Sequence, residues 1–173
     1  PRGKVVGGSG SINAMVHVRG FPGDFEDWRA LGNPGWGWED VLPCFIKAED
    51  SEIVEPGWRG QGGPQHVTDI SRAVHPLCHR FVAAGAALGL PQTSDFNGSQ
   101  GEGLGIFQIN TRKGRRASTA NAYLRPALKR GGIALETGAA VERIVLENGR
   151  ATGVRYRRHG RSQEVRARCE VIV

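Results

Sequence analysis

The chain has little cysteine, and what it has is scattered. Cys44, Cys78 and Cys169 make an odd count with no Cys-x-x-Cys spacing. Neither a disulfide framework nor a zinc site is indicated, and a reducing, cytoplasmic setting is the expectation. No apolar run is long enough to span a bilayer, and no signal peptide is apparent. Several catalytic signatures are missing as well. No Gly-x-Gly-x-x-Gly opens a β-α-β unit, and Gly101-Glu102-Gly103-Leu104-Gly105 has the wrong spacing for one. No Gly-x-Ser-x-Gly elbow marks a serine hydrolase, and Ser9-Gly10-Ser11 lacks a nearby base. His75 and His79 stand four apart on an expected helix, but there is no His-Glu-x-x-His and no third ligand. They read as surface histidines, not a metal site.

Positive charge is in excess. Lysine and arginine number 23 against 17 acidic residues, a net charge of +6. Much of the excess sits late, in Arg150, Arg155, Arg157, Arg158, Arg161, Arg166 and Arg168. Such a run can bind nucleic acid. Here it alternates with Val154, Tyr156 and Val165 at strand period and lacks interleaved aromatics. The expectation is a solvated sheet face and no nucleic-acid partner.

The most informative stretch is Gly3-Lys4-Val5-Val6-Gly7-Gly8-Ser9-Gly10-Ser11-Ile12-Asn13-Ala14-Met15-Val16. A short apolar strand-like pair runs into adjacent glycines, hydroxyl residues and an asparagine. Without a Cβ in the way, backbone N–H groups at such a turn come close to a bulky anion. A helix following it, carrying Asn13, would add its positive end, which suits a phosphate or pyrophosphate.

This stretch, with Arg19-Gly20 and Asp24-Phe25-Glu26-Asp27-Trp28, resembles the first signature of the glucose–methanol–choline (GMC) flavin oxidoreductases. A second family stretch is similar to Asp95-Phe96-Asn97-Gly98 with Glu102-Gly103-Leu104-Gly105. A third is similar to Gly114-Arg115-Arg116-Ala117-Ser118-Thr119 with Ala122-Tyr123-Leu124. The order agrees from end to end, nearest the choline-dehydrogenase-like and aliphatic-alcohol-dehydrogenase-like branch.

The resemblance implies an FAD-dependent oxidoreductase that moves hydride from the CH–OH group of an alcohol to flavin. It places Gly7, Gly8, Ser9, Asn13, Ala14, Met15 and Val16 along the cofactor, with Val141 meeting the adenine through its backbone. It implies FAD held without a covalent bond, because Ile12 stands where the choline-oxidase-like branch has a flavin-linked histidine. The partner implied is a small alcohol substrate. The histidine base is expected beyond Val173, so no catalytic residue is assigned here. Two other readings are a hydroxynitrile lyase of the same fold, keeping FAD without net redox, and a basic β-rich nucleic-acid-binding module.

The fold class expected is α/β (α+β within this stretch): part of a glutathione-reductase-like FAD-binding domain with a β-meander, plus part of a substrate-binding domain. Residues 1–35 are assigned to the FAD-binding domain, 36–111 mainly to the substrate domain, and 112–173 to the FAD-binding domain again. Asp24 is expected to cap a helix bearing Phe25, Trp28 and Leu31. A second helix should bury Val41, Leu42, Phe45 and Ile46, with Pro43 in its first turn. The tryptophans are expected in the core. Residues 75–88 read as a helix, 106–111 as a strand, and Ser118 as the cap of a short helix through Leu124 that Pro126 disturbs. Strands are expected over 133–136, 141–147, 151–157 and 161–167, with Asn148-Gly149 and His159-Gly160 as turns. The apolar run Glu170-Val171-Ile172-Val173 has no turn after it and reads as a strand in an internal piece of a longer protein.

Overall fold

A computed structural model describes residues 2–173, in two compact units: one runs to Gly131, the other is Gly132–Val173. In the first, helix α1 (Pro22–Ala30) starts on a proline, whose missing N–H is not needed there. Asp24 is therefore not the cap. It is the third helical residue, and its Oδ2 accepts the Phe21 N–H at 2.8 Å. Helix α2 (Trp38–Ala48) repeats the device, with Asp40 Oδ2 accepting the Gly37 N–H at 3.1 Å. Each acidic side chain satisfies a backbone donor that the helix start leaves open.

Pro43 falls in the second turn of α2, not the first, so one hydrogen bond of that helix is forgone. Val41, Leu42, Phe45 and Ile46 are half-buried, not fully buried. The core contact between α1 and α2 is aromatic. The Phe25 ring meets Trp28 and Trp38 at 5.5 Å and Phe45 at 5.6 Å. Trp28 and Trp36 are half exposed, at 48% and 52%, so the expectation of core tryptophans fails for both.

Strand β1 (Glu49–Ser51) leaves α2 directly and pairs in parallel with β2 (Gln65–Val67). Helix α3 (Pro76–Ala87) is capped by His75, whose Nδ1 accepts the Leu77 N–H at 3.2 Å. Residues 106–111 do not form a continuous strand. Ile109 makes single bridges to Val16 and to Thr68, and regular pairing resumes only in the hairpin of β3 (Thr111–Arg112) and β4 (Arg115–Arg116). Each partner stays alongside for one residue, too briefly to build a ladder. Pro126 does not stop the next helix: a π-helical turn at Ala120–Leu124 runs into α4 (Arg125–Arg130), where proline sits in the tolerant first turn.

The second unit is an antiparallel meander of β5 (Ala140–Glu147), β6 (Arg150–Arg158) and β7 (Arg161–Arg166). Its turns are Asn148-Gly149, with φ of 50° and 77°, and His159-Gly160, with 49° and 75°. Positive φ at both central positions matches the twist of the strands they join. Three of the late arginines pair across this sheet, Arg155 with Glu164 at 3.2 Å, Arg157 with Glu142 at 2.6 Å and Arg166 with Glu147 at 2.6 Å, and Arg158 pairs with Glu136 in the segment before it. Ion pairing accounts for four of the seven late arginines, although exposed pairs add little stability. Residues 133–136 form no strand, and neither do residues 170–173; no described segment pairs with either. Gly131, Gly132 and Gly138 bracket the former with φ of 84°, 82° and 65°, which breaks extended geometry.

Candidate functional site

The glycine turn takes left-handed backbone at Gly7 (φ 92°) and Gly8 (φ 56°), then a single 3₁₀ turn at Gly8–Ser11. That turn is too short to carry a helix dipole, and Asn13 lies beyond it; the expected helix bearing Asn13 is absent. The hydroxyls knit the loop to itself. Ser9 Oγ accepts the Gly3 N–H at 3.1 Å, and Ser11 Oγ donates to Val6 O at 2.9 Å. The two glycines face different surroundings. A Cβ on Gly7 would lie 2.4 Å from Ser11 Oγ and 2.9 Å from Ala120 Cβ, whereas one on Gly8 would meet nothing within 4 Å. Gly8 is the open face of the turn.

Beyond the turn, Asn13 makes a local bracket. Its Oδ1 accepts the Met15 N–H at 3.1 Å, and Met15 adopts a φ of 66°, rare for a residue with a side chain. The chain is then held by Asn110 N–H donating to Met15 O at 2.7 Å and His17 N–H donating to Gln108 O at 3.0 Å. Ala14 and Val16 are exposed, and their amides meet no acceptor among the described residues. No acidic residue occurs from Gly3 to Val18. The stretch thus offers the open amides of Ala14 and Val16 beside small and apolar side chains.

The third sequence stretch closes this turn from behind. Thr119 Oγ1 donates to Gly7 O at 3.1 Å, and Arg116 Nη1 donates to Asn13 O at 2.8 Å and Asn13 Oδ1 at 2.7 Å. Ala117, Ser118 and Ala120 are buried there. The second stretch braces the segment after the turn. Asn97 Oδ1 accepts the Arg19 N–H at 2.8 Å, and Asn97 Nδ2 donates to His17 O at 3.0 Å.

Beneath both lies a buried charged network centred on Glu49, which is 2% exposed. Its Oε2 faces His17 Nε2 at 3.0 Å and Arg19 Nη2 at 2.8 Å. Its Oε1 accepts from Arg59 Nε at 2.8 Å and Gly60 N at 2.9 Å. Arg59 also reaches Asp95 at 2.5 Å, and Asp95 Oδ1 accepts the Asn97 N–H at 2.9 Å. Burial pushes the Glu49 carboxyl up, but hydrogen bonds from His17, Arg59 and Gly60 and the Arg19 charge outweigh it, bringing its pKa down to about 2. Asn110 Nδ2 donates to His17 Nδ1 at 3.1 Å, so Nε2 carries the proton facing Glu49. Both nitrogens of that histidine are engaged.

A family model described as GMC oxidoreductase matches residues 1–173. The chain belongs to that family. As a GMC oxidoreductase sequence it is 52% identical over 173 residues to an oxygen-dependent choline dehydrogenase of Sinorhizobium medicae, and 48% identical to one of Brucella ovis. Each match covers all of this chain and 31% of the relative, so the chain spans about a third of the length of these relatives. Among solved structures it resembles pyridoxine 4-oxidase from Mesorbium loti, with a TM-score of 0.85, 36% identity, and cover of 95% of this chain and 33% of that one. It also resembles an FAD-dependent oxidoreductase from Chaetomium thermophilum, with a TM-score of 0.83, 29% identity, and cover of 96% and 31%. The expected α/β class is that of these GMC oxidoreductase neighbours.

Of the expected cofactor residues, Ser9, Asn13, Ala14 and Val16 are exposed and Gly7, Gly8 and Met15 half-buried. Val141 lies on β5 of the second unit, exposed, at a register irregularity of the β5–β6 pair. Sequence reasoning gave Arg116, Thr119 and Glu49 no role. Arg116 and Thr119 lay in a stretch already singled out, so a signal for them existed. For Glu49 there was none, since its partners come from residues 17, 19, 59 and 60.

Proposed function

We propose that this chain is the flavin-cradling part of a longer FAD-dependent oxidoreductase that takes hydride from the CH–OH group of a small alcohol. The observation that carries the reading is the pair of amides at Ala14 and Val16 that meet no acceptor among the described residues, beside the open face at Gly8 in a stretch with no acidic side chain. Such a surface fits FAD, whose pyrophosphate and ring edge are rich in acceptors. When bound, FAD supplies the hydride acceptor. The chain's own part is to hold it: Ala14, Val16 and the Asn13 side chain donate hydrogen bonds, Gly8 keeps the main chain approachable, and Gly7 lets the turn pack closely on Ser11 and Ala120. We assign Val141 to the adenine end and residues 36–111 to the substrate side. The base that takes the hydroxyl proton is placed outside residues 1–173.

The relatives support an alcohol as substrate, since choline and pyridoxine both carry hydroxyl groups. They do not favour the hydroxynitrile lyase reading. We expect the full-length protein to purify with FAD and to release it on acid precipitation. Ile12 offers no nucleophile, and His17 is tied to Glu49 and Asn110. Flavin in the supernatant is the expected result. Yellow colour held in the pellet would contradict the non-covalent assignment, and a purified full-length protein without a flavin band that takes up no added FAD would contradict the cofactor.

A further inference from the structure

Asn13 Oδ1 receives two donors, the Met15 N–H at 3.1 Å and Arg116 Nη1 at 2.7 Å. That settles which end of the amide is which. With the group turned over, Nδ2 would face two hydrogens at hydrogen-bond distance, a repulsive arrangement. The acceptor capacity of Oδ1 is thus consumed inside the protein, and Nδ2 has no acceptor among the described residues. Asn13 is exposed, so Nδ2 is what the side chain has left to offer a ligand.

Arg116 is itself well placed to enforce this. Its backbone is fixed by pairing with Thr111 in the β3–β4 hairpin, and Asn121 Nδ2 donates to its carbonyl at 2.9 Å. Its guanidinium reaches both the Asn13 carbonyl, at 2.8 Å, and the Asn13 side chain, so it pins backbone and amide together. A planar guanidinium holds two acceptors with little loss of freedom, whereas an ammonium on a flexible stem does so less firmly. Gly10 O lies 3.5 Å from the same nitrogen, whose two hydrogens serve the two shorter bonds to Asn13.

We propose that Arg116 is a positioning residue for the cofactor site: it locks the Asn13 amide so that the side chain presents only N–H donors, and the ligand atom facing it must be an acceptor. This rests on the FAD reading above and adds a polarity to one point of the cradle.

The test compares Asn13→Asp, Arg116→Ala and Arg116→Lys in the full-length protein, reading FAD affinity of the stripped protein and its melting temperature without FAD. Asn13→Asp keeps the acceptor that Met15 and Arg116 use and gives Arg116 a full counter-charge, so the stripped protein should melt no lower than wild type. It also replaces the donating nitrogen by a charged oxygen, so FAD should bind at least about tenfold more weakly, the scale of one hydrogen bond turned to repulsion. Arg116→Ala should weaken FAD binding similarly, and Arg116→Lys should fall between Arg116→Ala and wild type. Wild-type affinity in Asn13→Asp would overturn the proposal. So would a drop in its melting temperature without FAD, because the amide would then serve to hold the turn. Equal losses in Arg116→Lys and Arg116→Ala would also count against the clamp. Wild-type protein that binds no FAD would sink the functional reading itself, and the clamp's purpose with it.

Discussion

Glu49→Ala is expected to lower the stability of the full-length protein by about 3–5 kcal/mol, the cost typical of removing one partner from a buried ion pair. The substitution leaves Arg19 and Arg59 facing each other, with side chains only 2% and 0% exposed. Asp95 remains as the one direct ion-pair partner of Arg59 and only a more distant counter-charge for Arg19. It also strips the acceptor from the Gly60 N–H and from His17. The melting temperature should fall by roughly 6 °C or more. The same carboxylate gives a pH dependence of definite sign. Its pKa is depressed from 4.5 to about 2, so the folded state keeps the charge where the unfolded chain takes up a proton. That contribution is complete above about pH 4.5 and is lost as pH falls through 2. At 1.36 kcal/mol per unit it is on the order of 3 kcal/mol. Unfolding of wild type between pH 5 and 2 should show the loss, and Glu49→Ala should show much less of it. A variant within 1 kcal/mol of wild type, with the same acid profile, would refute this account of the network.

Gly8→Val is expected to abolish flavin retention while leaving a folded protein. Its φ of 56° strains a β-branched residue, costing about 1–2 kcal/mol. No atom of this chain lies within 4 Å of the new Cβ, so there is no internal clash. What the side chain fills is the open face on which the cofactor is proposed to lie. Flavin content per protein should drop more than tenfold in Gly8→Val, and by less in Asn13→Ala, which removes a contact without adding bulk. Normal flavin stoichiometry in both purified variants would remove the basis for placing FAD at this turn.

How much of this was legible in the sequence depended on how local the cause was. The Asn148-Gly149 and His159-Gly160 turns were, because positive φ at two successive positions is a property of those residues themselves. The Gly7-Gly8 turn was legible for the same reason. The role of Asp24 was misjudged because Pro22 fits the first helical position so well that the helix begins three residues early. Residues 106–111 alternate like a strand, yet Ile109 finds partners for one residue only, and that depends on where Val16 and Thr68 pass. The exposure of Trp28 and Trp36 likewise follows from what surrounds them, not from their own character. In the site, the donors of the turn could be inferred locally. The bracing by Arg116, at 103 residues' separation from Asn13, could not.

The central claim is that this chain helps hold FAD for alcohol oxidation, and the visible flavin band of the full-length protein tests it most directly. The protein should be made anaerobic, so that oxygen cannot reoxidise the reduced flavin, and mixed with choline and with a panel of primary alcohols. Hydride transfer to FAD should bleach the band with at least one of them, and admitting a suitable oxidant should restore it. A protein that carries FAD whose band stays unchanged with every alcohol, while a cyanohydrin is cleaved, would contradict the account.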